Sequence, residues 1–373
     1  MGLVLVPDDA RQWRKLMRIL YLVTDFDLIG GKEWYDRSAI RMLQELGEHV
    51  RVVKLAGTSL SNKILFILKS FVETLVKRPD MVFCAHISFS PIAYFLKWFF
   101  GIPYIIFTYG TEVWDIKNDF YRKALQNTQL VLTISRYTAL KLRGQIPTLE
   151  SKIFFLKPVA DSTRFSIKEK PQYLVQRHGL ADAKILLTVA HLYPTEESKG
   201  YLRVIDALPL VRDVFPKVRY VIVGAGMKGF GDNRERIRAY AKERGISERV
   251  ILAGRVPDEE IADYYNLCDL FVMPSSQEGF GIVFIESLAS GKPVIAGNRD
   301  GSRDAVLDGE LGILVDPDDT DSTARAIIEM LKGRAPRRFY DREFLRRRVL
   351  EIYGYEKFKE KVAELLKIIN RGL

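Results

Sequence analysis

PSSQEGFGIVFIESLASGKPVIA, residues 274–296, follows directly on the apolar run LFVM, residues 270–273. Apolar side chains without a polar break suit a strand buried on both faces, as in parallel sheets. A loop with Gly279 and Gly281 comes next, residues 282–290 carry apolar side chains at helical spacing, and 294–296 returns to a strand. Strand, loop, helix, strand is the repeating unit of a parallel α/β sheet. The first amides of such a helix point outward unpaired and carry positive potential, which suits a phosphate. Glycines there let the backbone approach a diphosphate without Cβ interference. Glu278 lies in the loop and Glu286 on the helix, and carboxylates accept hydrogen bonds from vicinal hydroxyls, one from a sugar and the other from a ribose. Without context the same two residues read as a helix-dipole partner and a solvated surface charge.

The alternation continues in both directions. Apolar runs predict strands at 185–190, 218–223, 250–253 and 311–315, with helices at 201–214, 234–244 and 258–266 between them. An earlier series predicts strands at 17–25, 50–55, 81–86, 103–108, 130–134 and 153–156, with helices at 36–46, 62–77 and 91–100. Residues 158–171 have no periodicity and form the expected hinge. Residues 1–160 then make one Rossmann-like domain with 1–16 as an extension, and 161–350 a second. Residues 351–373 are expected as a helix packing back toward the first domain. Two doubly wound sheets facing one another enclose a cleft at the C-terminal ends of their strands, where ligands of open α/β sheets bind.

The 373 residues suffice for two domains of ~100–200 residues each. With 47% hydrophobic and 28% charged residues, disorder is excluded. Only Cys84 and Cys268 occur, both in apolar runs, so a disulfide scaffold is not expected and a reducing, cytoplasmic compartment is. MGLVLVPDDA lacks the basic first segment of a secretory leader, and no uncharged run reaches the ~18 residues of a membrane span. The net charge of +10 and isoelectric point near 9.3 favour anionic partners: nucleotide phosphates, an acidic membrane or nucleic acid. The basic residues follow no nucleic-acid recognition module, so that partner is not expected.

EGFGIVFIE resembles the Glu-x7-Glu signature of the retaining glycosyltransferases of family 4, or group 1. VIVGAGMKGFG, RVILAGRVPDEEIADYYNLCDLFVMPS, ASGKPVIAGNRDG and DGELGILVDPDD are similar to further blocks of that family, in the same order. The resemblance implies the GT-B fold, two facing Rossmann-like domains with a nucleotide-sugar donor cleft between them, and no cofactor. It implies that Glu286 binds ribose hydroxyls and Glu278 the transferred sugar. Phe280, Gly281 and Ile282 supply amides near the diphosphate, and Lys199 neutralises the leaving group. Gly224, in the VIVGAGMKGFG block, is a donor-binding residue by the same resemblance, and Arg255 and Val256 lie where the family holds the base. Where many members have a diphosphate-binding arginine, this chain has His191, either a phosphate donor or a strand-end residue without a ligand.

The first half matches less tightly. Gly30-Gly31 follows the first strand where the family has a Gly-Gly pair near the donor phosphates, although such a pair alone is a common turn. His86 resembles the family's histidine near the reacting carbon, which makes His86, Lys199 and Glu278 the implied catalytic set. TYGTEVWD resembles the family's Thr-x-His-Gly-x-Glu, with Tyr109 replacing the histidine and Glu112 retained, both on the implied acceptor side. No ligand spacing for a metal is evident. The helices at 62–77, edged by Lys63, Lys69, Lys77 and Arg78, and at 91–100, with Phe95, Trp98, Phe99 and Phe100, read either as core or as an anionic-membrane surface. The arginine-rich stretch 334–348 reads as a solvated helix face. The implied function is sugar transfer to a glycan or lipid-linked acceptor in cell-envelope polysaccharide or glycolipid synthesis, at the inner face of the membrane. An epimerase-like GT-B enzyme and a non-catalytic nucleotide-sugar-binding protein are the alternatives.

Overall fold

The computed structural model describes residues 16–25, 30–226 and 231–371. Most of the expected N-terminal extension, residues 1–15, and residues 227–230 of the VIVGAGMKGFG block lie outside the described residues. The first sheet contains β1 (Arg18–Thr24), β2 (His49–Leu55), β3 (Met81–Cys84), β4 (Tyr104–Thr108), β5 (Leu130–Thr133) and β6 (Ile153–Phe155), in the order β2-β1-β3-β4-β5-β6. The second contains β7 (Lys184–Val189), β8 (Val218–Val223), β9 (Val250–Gly254), β10 (Leu270–Met273), β11 (Val294–Gly297) and β12 (Gly312–Val315), in the order β12-β11-β10-β7-β8-β9. Every pairing is parallel. The central strands explain their own sequences: MVFC in β3, YIIFT in β4 and LFVM in β10 are buried at every position, between helices on both faces.

Each order reverses direction once, between β1 and β3 in the first sheet and between β7 and β10 in the second. At such a point the flanking loops leave on opposite faces and open a crevice at the carboxyl ends of the strands. Gly30-Gly31 and His86 follow β1 and β3, whereas His191 and Glu278 follow β7 and β10. The two crevices face one another.

Contacts between the halves hold them in this relation. The Arg136 guanidinium reaches Asp304 at 2.6 Å and Asp308 at 2.6 Å, and its backbone N–H donates to Asp304 at 2.9 Å. Asp304 is 3% exposed, so removing Arg136 strands a buried charge. The helix Tyr355–Arg371 buries Phe358, Val362, Leu365, Leu366 and Ile369. Phe358 meets Tyr35 edge-on with ring centroids 5.9 Å apart, and the Tyr355 hydroxyl donates to Glu45, so this last helix lies against the helix Gly31–Glu45 of the first half.

Two expectations need correction. The stretch 334–348 is not a plainly solvated face, because Arg346 inserts its guanidinium among the carbonyls of Ser162, Phe165 and Ala289 and ties the helix Arg342–Tyr353 to the connecting segment. The helices Leu60–Lys77 and Ser90–Phe100 are core on one face only, where Phe66, Ala93 and Leu96 pack into the hydrophobic core of the first sheet. Leu60–Lys77 buries only Phe66, Ser70 and Thr74, and leaves Leu68, Val72, Leu75 and Val76 at least 56% exposed. Trp98 is 69% exposed and Phe99 59%, and Phe71 meets Phe99 and Phe100 edge-on, so the two helices form one continuous apolar face.

Candidate functional site

The helix Ile282–Ala289 begins at Gly281, whose φ of +85° lies in the left-handed region and whose Cβ, if present, would sit 2.4 Å from the Phe284 ring. Only glycine meets both conditions. Phe280 is 1% exposed and packs edge-on to Tyr353 at 5.3 Å, which fixes the loop from beneath. Asp300, which the motif reading passed over, anchors the loop more strongly. Its Oδ2 accepts from the Glu278 N–H at 2.7 Å and from the Ser275 hydroxyl at 2.8 Å, and its Oδ1 accepts from the Ser302 N–H at 2.9 Å. Burial pushes the Asp300 carboxyl up to about 6, opposed by the amide bonds from Ser302 and Glu278. The signal for it was Asp-Gly-Ser three residues after β11, a turn in which an aspartate takes up nearby amides.

Glu278 and Lys199 meet. The Lys199 ammonium lies 2.8 Å from Glu278 Oε2, with the two side chains only 17% and 16% exposed. The turn Pro194–Lys199 is stapled to the loop by the Ser276 N–H donating to the Ser198 carbonyl at 2.9 Å. Gly200, at φ +80°, would place a Cβ 2.2 Å from the Pro274 carbonyl oxygen. Glu286 stands on the first turns of the helix, part-buried, and accepts the Tyr265 hydroxyl at 2.7 Å. Burial holds its carboxyl above the usual range, with the Tyr265 bond and the Arg164 charge opposing. Tyr265 is itself fully buried against Phe165 and orients the carboxylate.

Gly224 is boxed in. Its φ is +141° and a Cβ would fall 1.8 Å from the Ala190 carbonyl oxygen, so it lets the ends of β7 and β8 pack. Arg255 is exposed after β9, and Val256 packs against the core beside it. His191 is exposed and stacks on Tyr193 with centroids 5.2 Å apart.

Across the cleft the first domain contributes a second helix start. Gly30-Gly31 is not a free loop: Gly30 is the N-cap and Gly31 the first residue of the helix Gly31–Glu45, which begins five residues before its expected start at 36. The two glycines admit the other domain, because a Cβ on Gly31 would lie 3.1 Å from Ile282 Cδ1 and one on Gly30 3.6 Å from His191 Nε2. His86 is part-buried, and its Nδ1 accepts from the Ser88 N–H at 3.2 Å. Burial, then the charge of Lys32, lowers its pKa to about 3. The ring is therefore neutral, with Nδ1 engaged by both the amide and the hydroxyl of Ser88.

Tyr109 and Glu112 are drawn into local structure. Glu112 Oε1 accepts the Tyr109 N–H at 2.5 Å, and the Tyr109 hydroxyl donates to Asp36 Oδ1 at 2.5 Å. The Tyr109-Gly110 backbone then rests directly on the loop that precedes the helix Ile282–Ala289. A Cβ on Gly279 would come 1.9 Å from the Tyr109 carbonyl oxygen, and one on Gly301 2.1 Å from the Gly279 oxygen. Glu278 thus reaches the seam between the domains together with Lys199, while His86 and Tyr109 border it from the other side. Glu286 is held within the second domain by Tyr265, and Arg255 follows β9, the edge strand of that sheet. Among the described residues no group of three His, Cys, Asp or Glu side chains could hold a metal ion, and no helix is long and apolar enough to cross a membrane.

This architecture, two facing Rossmann-like domains with a cleft at both switch points, is the GT-B fold. It is shared with sucrose-phosphate synthase from Thermosynechococcus elongatus, at a TM-score of 0.78 and 20% identity over 95% of this chain and 100% of that one. HepE from Anabaena, solved with UDP and glucose, gives a TM-score of 0.75 at 18% identity over 94% and 99%. Residues 174–344 match the family model described as "Glycosyl transferases group 1", and this part of the chain is a group 1 glycosyl transferase domain. The GDP-mannose-dependent alpha-(1-6)-phosphatidylinositol monomannoside mannosyltransferase of Mycolicibacterium smegmatis is 30% identical over 243 residues, 62% of this chain and 61% of that protein. The chain thus matches about three fifths of that relative's length.

Proposed function

We propose that this protein is a retaining, metal-independent glycosyltransferase that moves a sugar from a nucleoside diphosphate sugar to a hydroxyl of a glycan or lipid-linked acceptor. The observation that carries the reading is the Lys199–Glu278 pair at the N-terminus of the helix bearing Glu286, at one switch point and facing a neutral His86 at the other. In this reading Glu286 takes the ribose hydroxyls, and Arg255 and Val256 border the base. The amides of Phe280, Gly281 and Ile282 meet the diphosphate. Glu278 and Nε2 of His86 bind hydroxyls of the sugar, and Tyr109, Glu112 and Gly30-Gly31 form the acceptor side. The bond between the anomeric carbon and the phosphate oxygen breaks as the acceptor oxygen bonds to that carbon. The acceptor proton passes to the departing phosphate, with Nδ1 of His86 held by Ser88. Lys199 offsets the charge that grows on the phosphate. The mannosyltransferase relative is named for a GDP-mannose donor, and the HepE structure holds UDP and glucose, which supports a nucleoside diphosphate donor. The experiment that tests the function is acceptor-dependent release of nucleotide from a panel of nucleotide sugars.

The reading extends to the acceptor's setting in glycolipid or polysaccharide synthesis, with the protein seated on an anionic membrane at its cytoplasmic face. Support comes from the apolar face of Leu60–Lys77 and Ser90–Phe100, flanked by the exposed cations Lys63, Lys69, Lys77 and Arg78. Burying such a face in the interface and attracting acidic head groups act together, and only the second is screened by salt. Co-sedimentation with anionic vesicles at low salt is the expected result, weakened by salt and by Lys63→Gln, Lys69→Gln and Lys77→Gln together. Protein that stays in the supernatant with every vesicle and salt condition would end the membrane assignment.

A further inference from the structure

Lys32 stands in the first turn of the helix Gly31–Glu45, at the seam where that helix meets the donor-side loop. Its ammonium lies 5.4 Å from the centroid of the Tyr109 ring. Among the described residues no carboxylate pairs with it within 4.0 Å; it rests on the aromatic face, and its charge reaches the buried Asp36 one turn on. Tyr109 is held in turn: its hydroxyl points inward to Asp36, which is 1% exposed and also receives the Tyr21 hydroxyl at 3.3 Å. The other oxygen of Asp36 is buried without a hydrogen-bond partner. A half-satisfied buried carboxyl costs stability. What the arrangement retains is a rigid ring face turned toward the cleft, with a cation resting on it.

The surroundings of that cation call for an anion. The starts of two helices, Gly31–Glu45 and Ile282–Ala289, approach one another here, with 3.1 Å between Ile282 Cδ1 and the Cβ position of Gly31. Both turn the positive ends of their dipoles to the same space. Lys199 borders that space from the second domain, and His191 reaches to 3.6 Å from the Cβ position of Gly30. His191, unlike a lysine or arginine, brings no permanent positive charge to this space. We infer that Lys32 is a phosphate-binding residue of this cleft, seated on Tyr109, and that it supplies from the first domain the charge that His191 does not. The inference rests on the reading of the cleft as a nucleotide-sugar site. The phosphoryl group is that of the donor diphosphate or one carried by the acceptor, and the two sources are separable.

The test uses the full chain and the variants Lys32→Met, Lys32→Arg and Glu286→Ala, with UDP, GDP, uridine and guanosine titrated calorimetrically. Lys32→Met keeps the length and apolar stem of the side chain, which is half-exposed, so its melting temperature should match the wild type. The expected result is at least a tenfold loss of affinity for the nucleoside diphosphate with Lys32→Met, no change for the nucleoside, and most of the affinity retained with Lys32→Arg. Unchanged diphosphate affinity, with a tenfold higher KM for a phosphorylated acceptor but not for its unphosphorylated analogue, assigns the phosphate to the acceptor. If Lys32→Met changes neither, while Glu286→Ala loses nucleotide, the inference is wrong and the donor reading stands. A wild type that binds no nucleoside diphosphate overturns both.

Discussion

Lys199→Ala should lower turnover by ~10²-fold or more while leaving substrate KM values nearly unchanged, because charge on the departing phosphate is large only in the transition state. The residue is placed for that task before any substrate arrives. Its turn is fastened to the 274–276 loop through Ser198 and Ser276, and Gly200 lets the two backbones touch. Its ammonium is held 2.8 Å from Glu278, so the group proposed to meet the phosphate is fixed by the one proposed to meet the sugar. The substitution also leaves a half-buried carboxylate without its partner, and a modest drop in melting temperature accompanies the loss of rate. The two effects separate with Lys199→Arg, which restores the charge to Glu278 but not the compact point charge at the phosphate. Wild-type turnover in Lys199→Ala, together with a lower melting temperature, would reduce Lys199 to a structural partner of Glu278.

Glu286→Ala should weaken nucleotide binding by roughly 10- to 100-fold, as a charged hydrogen bond to the ribose is lost at about 1.5–3 kcal/mol. Alanine also leaves the buried Tyr265 hydroxyl without an acceptor, so Glu286→Gln is the better-folded comparison, keeping an oxygen for Tyr265 but not the charge. The carboxyl adds a dependence on pH whose sign distinguishes binding from stability. Burial raises its folded pKa above the unfolded value, so its contribution to stability is full at low pH and is lost as the pH rises through the folded pKa. Binding runs the other way, since only the carboxylate accepts both ribose hydroxyls. Acidification should therefore weaken the nucleotide before the usual carboxylate range is reached, and Glu286→Gln should abolish that part of the profile. Nucleotide affinity in Glu286→Ala equal to wild type would remove the ribose assignment.

The twelve strands among the described residues were legible in the sequence, each within two residues at either end, because buried parallel strands are short, apolar on both faces and closed by polar loops. Helices were legible where an apolar stripe was wide. Gln172–His178 and Thr320–Leu331 were not read from the sequence, and Arg136–Gln145 and Asp119–Asn127 escaped too, the first of these two burying only Thr138, Ala139 and Leu142 and the second only Ala124 and Leu125. Their caps were the available signal: Ser135 accepts from the Thr138 N–H, and Asn118 from those of Phe120 and Tyr121. The start of Gly31–Glu45 was misplaced because two glycines weaken a helix by propensity, and only the tertiary fit to Ile282 and His191 explains them. Glu278, Glu286 and Lys199, the residues proposed for the site, stand in motifs and can be singled out from the sequence. Asp36, Asp300 and Tyr265 act through partners 21 to 73 residues away, which spacing along one chain does not reveal.

The central claim is that this cleft transfers a sugar, and the most direct measurement follows the donor and the product together. The purified protein is mixed with a nucleotide sugar and a candidate acceptor, and the anomeric proton and free nucleotide are followed by NMR. The account predicts nucleoside diphosphate appearing in step with a new glycoside of the donor's anomeric configuration, only when acceptor is present, with the rate collapsing in Lys199→Ala. Nucleotide release that ignores the acceptor, an inverted product, or a donor that binds and is returned as its epimer would contradict it.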